Sequence, residues 1–118
     1  MPAGLDTDKL SNDKAVVEAF KADPMNHDMI SVSMGFSLLG DGDDKLIPSA
    51  ETVTLPIFLA HGEDDVITAP QGTKDYYEKC ASQQKTLKIY PGMLHELHNE
   101  IEKETCLADI KQFITQHL

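Results

Sequence analysis

The chain has 118 residues, enough for one domain with a modest hydrophobic core. Its composition, 41% hydrophobic and 25% charged, is ordinary for a soluble globular protein. The 20 acidic residues against 10 basic ones give a formal net charge of -10. This balance argues against a nucleic-acid partner, because phosphate binding requires a basic face.

The cysteines and the apolar runs bear on redox state and location. Neither Cys80 nor Cys106 belongs to a Cys-x-x-Cys pair or has a histidine at zinc-site spacing, so reduced structural thiols are favoured over a disulfide. No apolar run approaches the ~20 residues of a membrane span. The N-terminal sequence MPAGLDTDKLSND lacks the basic and apolar regions of a secretory signal. We therefore expect a cytoplasmic protein, and peripheral contact with a membrane stays open.

The sequence SNDKAVVEAFKAD predicts a first helix. Ser11 or Asn12 is placed to cap it by accepting hydrogen bonds from free backbone N–H groups. The helix should end near Asp23, because Pro24 disfavours helical geometry in the residue before it. Its predicted apolar stripe consists of Ala15, Val16, Ala19 and Phe20.

Residues 25–39 are apolar and rich in methionine, and they predict a second helix. The sequence GDGDD at residues 40–44 should end it in a turn. That sequence lacks the alternating ligands and late glutamate of a calcium loop, so we interpret it as a solvated turn.

The pattern becomes regular from Leu55 onward. The sequence LPIFLAHG is a nearly continuous apolar run, typical of a strand buried on both faces of a parallel sheet. Pro70 is suited to the first position of the helix that follows, and KTLKIYPG predicts a second strand at Lys85–Tyr90. The last helix has a predicted apolar face of Leu107, Ile110, Phe113, Ile114 and Leu118. Strand, helix, strand, loop and helix in this order predict a parallel crossover unit, and hence an α/β fold.

Two loops at the predicted carboxyl edge of the sheet carry ionisable side chains. The first holds Glu63, Asp64 and Asp65, and the second holds His95 and His98. Because neighbouring parallel strands end at one edge, an acid and an imidazole can meet there. Such an acid fixes the tautomer of the histidine, which then acts as a general base near neutral pH. A zinc-protease site is disfavoured, because His98 comes three rather than four residues after His95. The alternative that both histidines are ordinary surface residues stays open.

Several segments match a known family in order and spacing. They are HGEDDVI, KTLKIYPGMLHELHNE and, upstream, LSNDKAVVEAFKADPMNHDMIS. From about Leu10 onward the chain resembles the C-terminal portion of α/β-hydrolases of the monoacylglycerol lipase and lysophospholipase branch. The resemblance implies that residues 1–50 are the part of a cap that rejoins the core. Residues 51–118 would then be the last strands and helices of that core.

The resemblance also implies roles for individual residues. Asp65 corresponds to the acid of a Ser-His-Asp triad, and His95 corresponds to its base. His98 and Glu100 match positions that support the loop by hydrogen bonds. The implied activity is serine-dependent hydrolysis of a lipid ester, most simply a monoacylglycerol, without a metal or an organic cofactor.

The nucleophile elbow of this family, G-x-S-x-G, is not found in the sequence. The nearest match is SVSMG, which would make Ser33 the nucleophile. No apolar strand precedes Ser33, and the short separation from Asp65 leaves too little room for the intervening elements. We therefore expect a C-terminal fragment that is inactive alone. The missing N-terminal part of the hydrolase core would supply the serine, and without it the fragment should be marginally stable or homo-oligomeric.

Other functions remain open. The parent protein can be a lysophospholipase or an esterase for another small ester. In a different class, the fragment can be a non-catalytic α/β module for binding or assembly. For the hydrolase, the methionine-containing segment 25–39 is a candidate acyl-chain path, because methionine adapts to irregular apolar shapes.

Overall fold

A computed structural model describes residues 2–118, with the backbone alone at positions 39 and 41–43. Its α-helices are α1 (Lys14–Ala22), α2 (Val32–Asp41), α3 (Ile47–Ser49), α4 (Pro70–Lys79) and α5 (Lys103–Gln116). Its strands are β1 (Ile57–Gly62) and β2 (Lys85–Tyr90). Short 3-10 turns lie at Thr7–Lys9, Ala50–Thr52 and Leu97–Asn99.

Strands β1 and β2 form a parallel pair joined by helix α4. The register runs from Ile57 opposite Lys85 to Gly62 opposite Tyr90. Helix α4 begins at Pro70, whose fixed φ suits the first helical position and whose missing N–H costs nothing there. The predicted strands, the predicted helix start and the α/β class are therefore confirmed.

The loops after β1 and β2 leave the same edge of the sheet and pack closely. The backbone N–H of Glu63 donates to the carbonyl of Tyr90 (2.9 Å), and that of Asp64 donates to Met93 (3.1 Å). A Cβ atom on Gly62 would lie 2.8 Å from the carbonyl carbon of Met93 and nearer still to the carbonyl oxygen of Leu94. Only glycine permits this approach, which places the second loop directly against the end of β1.

The core beneath these loops is small. Its buried members are Tyr90, Met93 and Cys106, flanked by Ala60, Leu97 and Ile110. The Tyr90 hydroxyl is satisfied by donating to the carboxylate of Asp109 (2.9 Å). Cys80 and Cys106 are both free and buried, which confirms the prediction of reduced thiols.

The apolar face of α5 differs from the prediction. Cys106 is its most buried residue, and Ile110 and Phe113 are half-buried beside it. The exposed residues are Leu107, Ile114 and Leu118, so the prediction was wrong for these three. Because Cys106 packs under Tyr90, the helix presents the spacing i, i+4, i+7 from that position.

The cap of α1 also differs from the prediction. Asp13 caps the helix, since its side chain accepts the free backbone N–H two residues on (2.9 Å). We predicted Ser11 or Asn12 in this role, which was wrong. The Ser11 hydroxyl instead donates to the carbonyl of Asn99 (2.9 Å), and Asn12 contacts Glu100.

The end of α1 and its buried side are only partly as predicted. The helix ends at Ala22 with Asp23 as its C-cap, as Pro24 required. Val17 is its buried residue, Val16 and Phe20 are half-buried, and Ala15 and Ala19 are exposed. The buried side is therefore turned by one residue relative to the predicted stripe.

The second helix is confirmed, but it starts later and ends differently. Helix α2 begins at Val32, and GDGDD is not a turn. A π-helical turn at Gly42–Leu46 continues the chain into α3, where Ile47 is buried. The prediction of a turn was wrong because wider helical hydrogen bonding overrides the local preference of glycine.

Glu100 is a buried carboxylate that joins the N-terminal segment to the second loop. Its residue is 2% exposed. It accepts hydrogen bonds from the backbone N–H of Leu94 (2.7 Å) and from the backbone and side-chain nitrogens of Asn12 (3.2 and 3.1 Å). Nearby, the N–H of Glu96 donates to the carbonyl of Leu10 (2.8 Å). Residues far apart in sequence are thereby fixed to one loop.

We predict that Glu100→Gln lowers the free energy of unfolding of the chain by about 2–3 kcal/mol. The amide has one acceptor oxygen fewer and turns an N–H toward donors that are already buried. Urea unfolding measures the loss. The matched control is Glu51→Gln, which removes an exposed carboxylate and should cost less than about 0.5 kcal/mol. Equal losses in the two variants would contradict the role of Glu100.

Candidate active site

Asp65 lies in the tight turn after β1, and its side chain is 1% exposed. One carboxylate oxygen, Oδ1, accepts the backbone N–H groups of Ile67 (2.8 Å) and Thr68 (3.1 Å). The neighbouring acids Glu63 and Asp64 are exposed. The turn thus holds the Asp65 side chain inward and leaves Oδ2 directed at the second loop.

His95 lies in the loop after β2, and the structure brings it to Asp65. Its Nδ1 is 2.8 Å from Asp65 Oδ2. Because the carboxylate only accepts, Nδ1 carries the hydrogen and Nε2 keeps its lone pair. Among the described residues no group hydrogen-bonds to Nε2, and the side chain is 34% exposed. The arrangement leaves a nitrogen at the surface that can accept a proton.

The electrostatics of Asp65 favour its charged form. Burial opposes ionisation, but hydrogen bonds from His95, Thr68 and Ile67 outweigh it and lower the pKa of Asp65 from 3.8 to about 2. Asp65 is therefore an anion at neutral pH. An anion here stabilises a positive charge on the His95 ring after that ring takes up a proton.

Sequence reasoning missed two further residues that contact Asp65. The Thr68 hydroxyl donates to Oδ2 (2.9 Å) and lies 3.3 Å from His95 Nδ1. His61, on β1, places Nε2 at 2.9 Å from the same Oδ2. The available signal was position: His61 comes four residues before Asp65 and interrupts an otherwise apolar strand.

The predicted supporting residues differ in their roles. Glu100 orders the loop through the backbone of Leu94, next to His95, as expected. His98 is exposed and lies 3.3 Å from the side-chain nitrogen of Asn99. The structure therefore gives Glu100 a supporting position and leaves His98 outside the cluster around Asp65.

Ser33 is not brought to His95. It lies at the start of α2, is exposed, and its hydroxyl is 3.1 Å from that of Ser31.

Within residues 2–118, apart from the side chains not described, no three His, Cys, Asp or Glu side chains converge as metal ligands. In the same part of the chain, no helix has the length and apolar character needed to cross a bilayer.

Comparison with known proteins places the chain in a family. The model of the family described as "Serine aminopeptidase, S33" matches residues 1–102. The monoacylglycerol lipase of Mycolicibacterium smegmatis is 36% identical over 115 residues, which are 97% of this chain and 41% of that protein. The caffeoylshikimate esterase of Arabidopsis thaliana is 43% identical over 67 residues, which are 54% of this chain and 20% of the esterase.

A solved structure agrees with these sequence matches. The crystal structure of Paleococcus ferrophilus monoacylglycerol lipase superposes with a TM-score of 0.93 and 29% identity, over all of this chain and 46% of that one. This chain therefore spans less than half the length of these relatives. It belongs to the serine aminopeptidase S33 family of α/β-hydrolases, in the branch that resembles monoacylglycerol lipases.

Proposed function

We propose that this chain supplies the acid and the base of a serine hydrolase that cleaves monoacylglycerols to fatty acid and glycerol. The observation that carries the proposal is the Asp65–His95 contact, which leaves Nε2 of His95 without a hydrogen-bond partner among the described residues. The likeness to monoacylglycerol lipases supports the choice of substrate. Lysophospholipids and other small esters remain competing substrates, and the match to an esterase favours testing them.

In the proposed mechanism, His95 moves a proton and Asp65 orients it. Nε2 takes the proton of a serine hydroxyl as the oxygen attacks the ester carbonyl, and it returns that proton to the leaving glycerol oxygen. Water then attacks the resulting acyl-serine ester. Nε2 takes the proton of the water and returns it to the serine oxygen as the fatty acid leaves. Asp65 keeps Nδ1 protonated throughout and stabilises the transient imidazolium.

The serine comes from the N-terminal part of a hydrolase core in this proposal, because Ser33 is on α2 and bonds to Ser31. A cavity of about 460 Å³ supports the presence of such a partner. It lies open between α3, α4 and β1, and its lining includes Ile47, Ile57, Leu59 and Tyr76. An apolar surface of this kind is stabilised when further core elements cover it.

The test is a chimera in which this chain replaces the matching segment of the Mycolicibacterium smegmatis lipase. We predict hydrolysis of monoacylglycerol, measured as released fatty acid, with lower kcat/KM for a lysophospholipid of the same chain length. His95→Ala should lower kcat/KM by about 10³-fold or more, because it removes the proton acceptor. His98→Ala is the matched control and should change it by no more than about twofold.

Two results would overturn this proposal. One is a folded chimera that leaves every ester intact, which would favour the non-catalytic module. The other is labelling of the isolated 118-residue chain by a fluorophosphonate probe that Ser33→Ala abolishes. We expect the isolated chain to stay unlabelled and the chimera to be labelled.

The charge on Asp65, which the proposed mechanism requires, gives a second prediction. Its folded pKa of about 2 lies below the ordinary 3.8. The stability it contributes is therefore complete above pH ~4 and is lost as the pH falls through about 2. Urea unfolding should show that wild type loses about 2 kcal/mol more than Asp65→Asn between pH 5 and pH 1.5. The control Asp64→Asn, at an exposed neighbour, should keep the wild-type acid dependence.

Helix α2 offers an apolar surface for contact with a lipid bilayer that contains such a substrate. Val32 and Phe36 lie one turn apart on the same face of the helix and are 59% and 75% exposed. Exposed apolar side chains that share a face are typical of a contact with a protein or a membrane. We include peripheral membrane contact through α2 in the proposal, driven by apolar burial because the net charge is -10.

We predict that the chain binds vesicles of zwitterionic phosphatidylcholine with an affinity that salt does not weaken. Phe36→Ser should weaken binding about 10- to 100-fold, since burial of a phenylalanine contributes about 1.5–3 kcal/mol. The matched control, Ile114→Ser, removes an exposed apolar side chain on α5 and should have no effect. Vesicle co-sedimentation measures both. An equal effect of the two variants, or no binding by wild type, would contradict the surface.

A further inference from the structure

His61 contacts the same carboxylate oxygen that holds His95. It lies near the end of β1 with 13% of its side chain exposed. Its Nε2 is 2.9 Å from Asp65 Oδ2 and 2.9 Å from the carbonyl oxygen of Thr68. Its Nδ1 is 2.7 Å from the hydroxyl of Thr73 on α4. The imidazoles of His61 and His95 thus both contact Oδ2 of Asp65.

These contacts fix the hydrogen positions on His61. The carboxylate of Asp65 and the carbonyl of Thr68 only accept, so Nε2 carries the hydrogen and shares it between them. The Thr73 hydroxyl can then donate to the lone pair on Nδ1. Both ring nitrogens are occupied by the protein. His61 therefore has no nitrogen free for a substrate and cannot replace His95 as the base.

His61 differs from the other residues that contact Asp65 because it lies on a strand and not in the turn that carries Asp65. The donors Ile67 and Thr68 belong to the same turn as Asp65, so they hold its carboxylate only relative to that turn. His61 instead belongs to β1, whose pairing with β2 continues through this residue. Its hydrogen bond connects the carboxylate to the sheet, which is more rigid than the turn that carries Asp65.

We propose that His61 is a positioning residue that holds Asp65 Oδ2 in line with Nδ1 of His95, and so keeps Nε2 of His95 directed at the reacting serine. The inference rests on the proposed function of the Asp65–His95 pair. Its effect falls on the chemical step, because misalignment of a catalytic group slows the reaction without loosening substrate binding.

The experiment compares His61→Leu with His61→Gln. Leucine removes the donor, whereas the glutamine side-chain nitrogen can reach the place of Nε2 and restore it. In the chimera defined above, His61→Leu should lower kcat about 10- to 100-fold with KM unchanged within about twofold. His61→Gln should recover most of the loss. Thr73→Val, which removes the partner of Nδ1, should lower kcat in the same direction by a smaller factor.

A second readout needs no hydrolysis. In the 118-residue chain, the proton on His95 Nδ1 should give a downfield NMR signal, because it forms a short bond to a carboxylate. His61→Leu or, if that variant does not fold, Thr73→Val should shift and broaden this signal. An unchanged signal, or a kcat that His61→Gln fails to restore, overturns the positioning role. An inactive wild-type chimera overturns the proposed function instead, and the signal still decides the role of His61.

Discussion

The carboxylate of Asp65 joins the two loops at the carboxyl edge of the sheet, and the alignment of the candidate active site depends on it. Oδ1 is satisfied within its own turn by two backbone N–H groups. Oδ2 is left to reach across to His95. A buried charge is tolerated when such partners replace the lost water, and here the same partners also fix a histidine in one tautomer.

A second buried carboxylate acts on the same loop from its other side. Glu100 accepts from the backbone of Leu94, one residue before His95, and from Asn12 in the N-terminal segment. The close approach of Gly62 brings the loop against β1 between these two contacts. Backbone hydrogen bonds of Leu94 and Glu96 therefore fix the loop on either side of His95, and the Asp65 contact sets the direction of its exposed ring.

The sequence predicts the part of the fold that depends on local pattern. The apolar run of β1 and the proline at the start of α4 suffice for the crossover unit, and parallel topology then brings Asp65 toward His95. Long-range partners explain the failures. Ser11 and Asn12 look like helix caps, but residues 88 positions away in the chain take their side chains. His61 looks like a polar interruption of a strand until the turn after it places a carboxylate beside the ring.

The pairing of β1 with β2 makes the sheet asymmetric. In the described part of the chain, β1 pairs along one edge only, and its sequence IFLAHG has no charged or proline residue to protect the other edge. Strand β2 carries the exposed, charged Lys88. Additional strands are therefore recruited more readily beside β1 than beside β2. The sheet is therefore extended preferentially at the β1 edge. Non-specific self-association through unpaired backbone would begin at the same edge.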